Sequence, residues 1–209
     1  MHDKWERIIY LVRHGETEYN HRGIIQGRGV DMPLNQTGME QARRFFEAYR
    51  DKGIEIVYYS TLQRTCQTIA PFLEAGYPSV STPDLDEMDW GIYEGRENTA
   101  ELQVVFQGFL KAWRNGNLQA GPPGGETPEL LRERQLRFLR KLEQSPYRKI
   151  LVCTHGRAIR SLLCLMLGKS QQNMDDFPHD NLSVYEVVYN QGEYWIRLFN
   201  DRSHLNGKN

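Results

Sequence analysis

A chain of 209 residues, 39% hydrophobic and 25% charged, is long enough for one full hydrophobic core and short for two domains of ordinary size. Lysine and arginine number 26 against 27 acids, a formal charge of -1. Bulk attraction to nucleic acid or to an anionic membrane is therefore not expected, although a local cationic pocket is compatible with that balance.

The first seven residues, MHDKWER, carry charge where a secretory signal needs an apolar run. The apolar stretch 162–167 falls far short of a bilayer span. Both point to a cytoplasmic protein. Cys66, Cys153 and Cys164 form no CxxC pair and have no histidine at ligand spacing; each lies in an apolar run and reads as a buried free thiol.

In chain order, IIYLV at 8–12 reads as a strand buried on both faces. A polar, glycine-dotted segment runs from 13 to 36. Thr37, with Glu40 three residues on, has the pattern of a capping box opening a helix to about residue 49. A second strand is expected at 54–59 and a helix over 62–75. Residues 84–95 are acidic and turn-rich, and a helix is expected over 98–114. NGNLQAGPPGG at 115–125 is a loop by composition. Thr127, Pro128 and Glu129 open an amphipathic helix to about 143. KILVC at 149–153 is a third buried strand, with a helix over 157–167 after it. Two runs at 183–189 and 194–199 read as a closing hairpin. This alternation implies an α/β fold with a mostly parallel central sheet covered by helices on both sides. One domain over 1–209 is expected, with 96–126 as a lid-like excursion.

Two of the buried strands run into the same dipeptide, Arg13-His14-Gly15 after the first and Thr154-His155-Gly156 after the third. The second strand runs into Ser60-Thr61-Leu62-Gln63-Arg64. In parallel α/β sheets ligands bind at the carboxyl ends of the strands, so two histidines and two arginines should meet at one rim. A divalent metal is one reading of clustered histidines, but Arg13 and Arg64 would repel a cation and no carboxylate cluster accompanies them. A dianionic phosphoryl group fits better: arginine forks match its oxygens, and the helix after Gly156 would aim free N–H groups at it. No metal and no cofactor are expected.

The run LVRHGETEYN at 11–20 resembles the signature of the histidine phosphatase superfamily, the phosphoglycerate mutase-like enzymes. Pro33-Leu34 to Gly38 with Gln41-Ala42, STLQRTCQT at 60–68, LDEMDWGIYEG at 85–95 and Thr154-His155-Gly156 resemble further blocks of that family, in the same order. The resemblance implies a three-layer α/β/α sandwich. It implies His14 as the phosphorylated nucleophile, with Arg13, Arg64 and His155 gripping the phosphoryl oxygens and Asn20 and the Gly156 backbone in support. Glu87 would be the proton donor, favoured by alignment over Asp86, and Gln26 and Gly27 would touch substrate. His21 and His179 read as surface or pocket-rim residues. Asp180-Asn181 reads as a chain-turning pair, and the indoles of Trp5, Trp90, Trp113 and Trp195 as core or lid packing.

The activity this implies is hydrolysis of a small phosphorylated metabolite through a phosphohistidine. The family's mutases carry an ERHYG stretch after the proton donor, where this chain has Asp89 to Gly95. A cofactor-dependent phosphoglycerate mutase is the alternative, and an inactive module that binds phosphorylated ligands a more distant one. Composition leaves the oligomeric state and the natural substrate open.

Overall fold

The computed structural model describes residues 6–206; Trp5 and most of the charged N-terminal heptapeptide lie outside them. Six strands form one sheet: β1 (Arg7–Arg13), β2 (Ile56–Tyr59), β3 (Ser79–Ser81), β4 (Lys149–Thr154), β5 (Val184–Asn190) and β6 (Glu193–Asp201), in the order β3-β2-β4-β1-β5-β6. The first four are mutually parallel, and β5 and β6 extend the sheet antiparallel beyond β1. The helices are α1 (Glu18–His21), α2 (Gln36–Tyr49), α3 (Gln63–Glu74), α4 (Ala100–Arg114), α5 (Pro128–Gln144) and α6 (Gly156–Met166).

Strand periodicity splits the core in two. Ile9 and Leu11 of β1 face the same side as Ile150 and Val152 of β4, where they meet Leu131, Phe138, Ile159 and Leu162 of α5 and α6. Tyr10, Val12, Leu151 and Cys153 face the other side, against Phe45 and Tyr49 of α2 and Ile69 and Phe72 of α3. Each such side chain, removed from water, contributes roughly 1.5–3 kcal/mol. The result is the expected three-layer α/β/α sandwich.

Residues 96–126 leave this frame and return. The loop after α1 pairs with their start through an Ile24–Glu97 bridge, with Ile25 N donating to Arg96 O and Asn98 N to Gly23 O. The rings of Trp90, Tyr93, Phe106, Phe109 and Trp113 then hold α4 against the body. Among the described residues no helix is long and apolar enough to cross a membrane.

Four local expectations change. Helix α2 begins earlier than a cap at Thr37 requires. Asn35 is the N-cap, its side chain accepting from Gly38 N at 2.8 Å while its amide donates to Glu16. Strand β3 was not expected, because SVS is short, polar and fully exposed, as befits an edge that must not recruit another strand. Cys66 is only partly buried, unlike Cys153 and Cys164. Trp195 is 40% exposed on β6, so it belongs neither to the core nor to the excursion.

The cap is directly testable. Asn35→Ala should lower the unfolding free energy by about 1 kcal/mol, and Thr37→Ala by no more than a few tenths. Urea denaturation of the two variants distinguishes the caps.

Candidate active site

The site is built on the pairing of β1 with β4. Their parallel register sets Arg13 beside Thr154, so the next residues, His14 and His155, emerge side by side. His14 N donates to Thr154 O, and the two imidazoles lie 5.1 Å apart between centroids. Both are buried, as is Arg64 from the first turn of α3. The structure thus gathers His14, His155, Arg13 and Arg64 at the carboxyl rim of the sheet.

His14 Nδ1 lies 2.7 Å from Gly15 O. A carbonyl only accepts, so Nδ1 carries the proton and Nε2 keeps its lone pair. Burial, then Arg64 and Arg13, push the His14 pKa well below the ordinary histidine value. His155 is lowered in the same way, by burial and then by Arg64 and His14. The result is a neutral imidazole with a free nitrogen in a cationic cage.

His155 is held from both ends. Arg64 Nε donates to its Nδ1 at 3.1 Å, which makes Nε2 the protonated nitrogen, and that atom lies 2.8 Å from Ser60 Oγ. Ser60 Oγ donates in turn to Asp86 Oδ1, which also accepts from Thr61 N and Thr61 Oγ1. Arg64 gives two more N–H groups to Gly27 O and Val30 O. Two of its five donors make no hydrogen bond among the described residues, and Nη1 also lies 3.7 Å from Asp31 Oδ1, so it cannot offer a fully free fork.

Arg13 gives one N–H to His179 Nδ1 at 3.1 Å, and its buried Nε has no partner among the described residues. Burial pulls its pKa down to about 10. The His179 ring lies where a Cβ on Gly156 would be, 2.6 Å from the nearest ring atom; glycine is needed there for the imidazole to reach Arg13. Burial, then Arg13, pushes the His179 pKa down to about 2. His179 is therefore a pocket residue, whereas His21 is exposed.

Glu87 is buried at the start of α6. Its Oε1 accepts from Ala158 N at 3.0 Å and Met88 N at 2.8 Å, and its Oε2 from Arg157 N at 3.1 Å. A carboxylate here satisfies N–H groups that the helix leaves open and complements its dipole. Asp86 points instead to Ser60 and Thr61. The loop carrying both is pinned by Arg134, which donates to Glu87 O and Asp84 O and forms a two-pronged buried pair with Glu126.

Asn20 caps α1 reciprocally with Thr17, and its Oδ1 also accepts from Asn181 Nδ2, which donates to His14 O as well. Gln26 donates to Thr17 Oγ1, and its buried Oε1 has no partner among the described residues. Asn181, Ser60, Arg134 and Glu126 were not expected at the site. For Asn181 the adjacent Asp180 suggested a simple turn; the others act through contacts that no local pattern announces.

A cleft of about 540 Å³ opens beside Arg13, Asn20, Gln26, Arg157 and His179 and continues under α4. Arg157, one of its lining residues, donates to Asp175, which also accepts from Arg114 and Arg160. Among the described residues no three His, Cys, Asp or Glu side chains are grouped to hold a metal ion.

With this geometry in hand, the model of the histidine phosphatase superfamily (branch 1) matches residues 9–202. The chain belongs to the histidine phosphatase superfamily. It is 34% identical to a protein of Proteus mirabilis named "Probable phosphoglycerate mutase GpmB", over 94% of each chain. It is 35% identical to "Fructose-2,6-bisphosphatase TIGAR B" of Danio rerio, covering 91% of this chain and 72% of that one. The crystal structure of the alpha-ribazole phosphatase from Shigella flexneri superposes with a TM-score of 0.81 at 28% identity, over 93% of this chain and 96% of that one. That match spans the blocks at 11–20, 60–68 and 85–95.

Two outcomes test the geometry. Unfolded imidazoles take up protons near pH 6.5, whereas His14, His155 and His179 in the fold do not. Below pH 6.5 the unfolded chain therefore binds more protons, and stability falls as pH drops, by up to about 1.4 kcal/mol per pH unit for each imidazole. Melting temperatures at pH 8, 6.5 and 5 should be similar between the first two and clearly lower at the third. Separately, Arg134→Met leaves Glu126 buried and unpaired, and should cost about 3–5 kcal/mol in urea denaturation.

Proposed function

We propose that the protein hydrolyses small phosphomonoesters through a phosphohistidine at His14. The observation that carries this reading is the imidazole itself: neutral, buried, its tautomer held by Gly15 O, and its Nε2 free among Arg13, Arg64 and His155. A histidine so placed can act as a nucleophile toward phosphorus.

In the first step Nε2 forms a bond to phosphorus as the ester P–O bond breaks. Arg13 and the two remaining N–H groups of Arg64 meet charge on the equatorial oxygens, with His155 lining the same pocket. The free amide N–H of Asn20 and the backbone at Gly156 assist, and Gly27 acts through the carbonyl that holds Arg64. Glu87 gives its proton to the departing alkoxide. Oε2, with a single N–H partner, is the oxygen better able to carry that proton. In the second step water forms the new P–O bond, the P–N bond breaks, and the water proton returns to Glu87. Gln26, with its orphaned acceptor, faces the alcohol portion of the substrate. The single domain carries 96–126 as a lid over this cleft.

Labelled substrate should leave an acid-labile, base-stable label on the His14 peptide, absent in His14→Ala. Glu87→Gln should slow the single-turnover burst from an alkyl phosphate by about 10² or more. The burst from p-nitrophenyl phosphate, whose leaving group needs no proton, should slow far less. Asp86→Asn is a poor control for this test because it disturbs the Ser60–His155 chain; Asp89→Asn is the better one. The mutase-named relative raises isomerisation as a second reading. Given 3-phosphoglycerate and a trace of the 2,3-bisphosphate, the enzyme should release phosphate or leave the substrate intact, and 2-phosphoglycerate should not accumulate.

A further inference from the structure

The cleft beyond the phosphoryl cage has a chemistry of its own. Gln103, Phe106, Gln107 and Leu110 of α4 all line it, at the spacing i, i+3, i+4, i+7 that makes one helical face. The stripe holds two apolar residues and two amides and no charge, although α4 carries Glu101, Lys111 and Arg114 elsewhere. Across from it stand Trp90, Ile24 and Ile25, and Asn98 adds a third amide. Trp90 meets Phe106 edge to face at 4.9 Å between centroids, so this apolar wall is braced.

Two arginines line the cleft, and both are engaged. Arg13 is held by His179, and Arg157 is paired with Asp175 at 3.0 Å and lies over the Trp113 ring. Among the described residues neither a lysine nor a carboxylate lines the cleft. The distal half therefore has no partner for a charged substituent, and burying one there unpaired is costly. Amides on an apolar wall instead reward an uncharged body with hydrogen-bonding groups on its edge. Gln26 lines the same space, its Nε2 donating to Thr17 Oγ1 while its buried Oε1 has no donor among the described residues. The cleft volume of about 540 Å³ also suits a ligand larger than a three-carbon phosphate.

We infer that the preferred substrates are phosphomonoesters whose alcohol portion is an uncharged ring bearing hydroxyl or amino groups, a sugar or a nucleoside, rather than a short carboxylate-bearing chain. This rests on the phosphatase reading above. Phe106, Gln103 and Gln107 are the residues that set the preference.

The test is kcat/KM for adenosine 5′-monophosphate and glucose 6-phosphate, which separate a heteroaromatic from a sugar source, against glycerol 3-phosphate, phosphoserine and 3-phosphoglycerate. p-Nitrophenyl phosphate reports the chemical step independently. At least one ring-bearing substrate should exceed all three open-chain ones by about tenfold or more. Phe106→Ala should cut that ratio about tenfold, chiefly through KM, and Gln107→Ala should cut it by a smaller factor. Val104→Ser, on the outward face of α4 where Val104 is 73% exposed, controls for loosening of the helix and should keep the ratio. If p-nitrophenyl phosphate is hydrolysed but phosphoserine or 3-phosphoglycerate equals the ring-bearing esters, this inference is wrong and the phosphatase reading stands. An unchanged ratio in both Phe106→Ala and Gln107→Ala refutes the inference in the same way. If nothing is hydrolysed, the phosphatase reading fails and takes the inference with it.

Discussion

The site depends on the register between β1 and β4. Every β1 residue from Ile8 to Arg13 has its β4 partner from Lys149 to Thr154, and only that pairing brings His14 and His155 out together. A slip of one residue would reverse the faces of all six pairs, driving Ile9 and Leu11 from one core layer into the other. The packing of α5 and α6 against one face and of α2 and α3 against the other therefore fixes the geometry of the site as well as stability. Both strands are central and paired on each side, so the two imidazoles are mounted on the middle of the sheet.

On that mount the chain assembles a cationic cage and keeps its imidazoles uncharged. The arginines do two jobs in the same space. Their charge discourages protonation of His14 and His155, and their N–H groups hold His155, Gly27 and Val30 in place. Around the cage a second ring of buried contacts sets the angles. Asp86 steadies Ser60, Asn181 ties His14 to Asn20, and Arg134 with Glu126 fixes the backbone at Glu87. Preorganisation of this kind spares the reaction the reorganisation that water would have to undergo.

The legible part of this arrangement is the part written locally. His14 and His155 each follow a buried strand and precede glycine, and Arg13 and Arg64 lie at strand or helix ends, so composition and order alone place them at one rim. The family blocks extend that to Glu87. What escapes is whatever depends on two distant segments meeting. Arg134 does not differ locally from a solvated helix charge, nor Glu126 from a solvated loop charge, and Ser60–Asp86 spans 26 residues. Asn35 and Thr37 both offer a capping oxygen, and the choice between them is made by Glu16, which holds the Asn35 amide. Strand β3 has no periodicity because an exposed edge of three residues has no buried face to announce.

Arg157, which lines the cleft, shares Asp175 with Arg114 and Arg160, three guanidinium groups to one carboxylate, although the whole chain carries -1. With low-dielectric walls beside it, that local excess focuses field lines into the cleft mouth and draws dianions inward before any contact forms. Capture of substrate should then be faster than neutral diffusion, and should slow as added salt shortens the Debye length from ~30 Å at 0.01 M to ~8 Å at 0.15 M. A nearly neutral protein can thus act, at one mouth, as a cationic funnel.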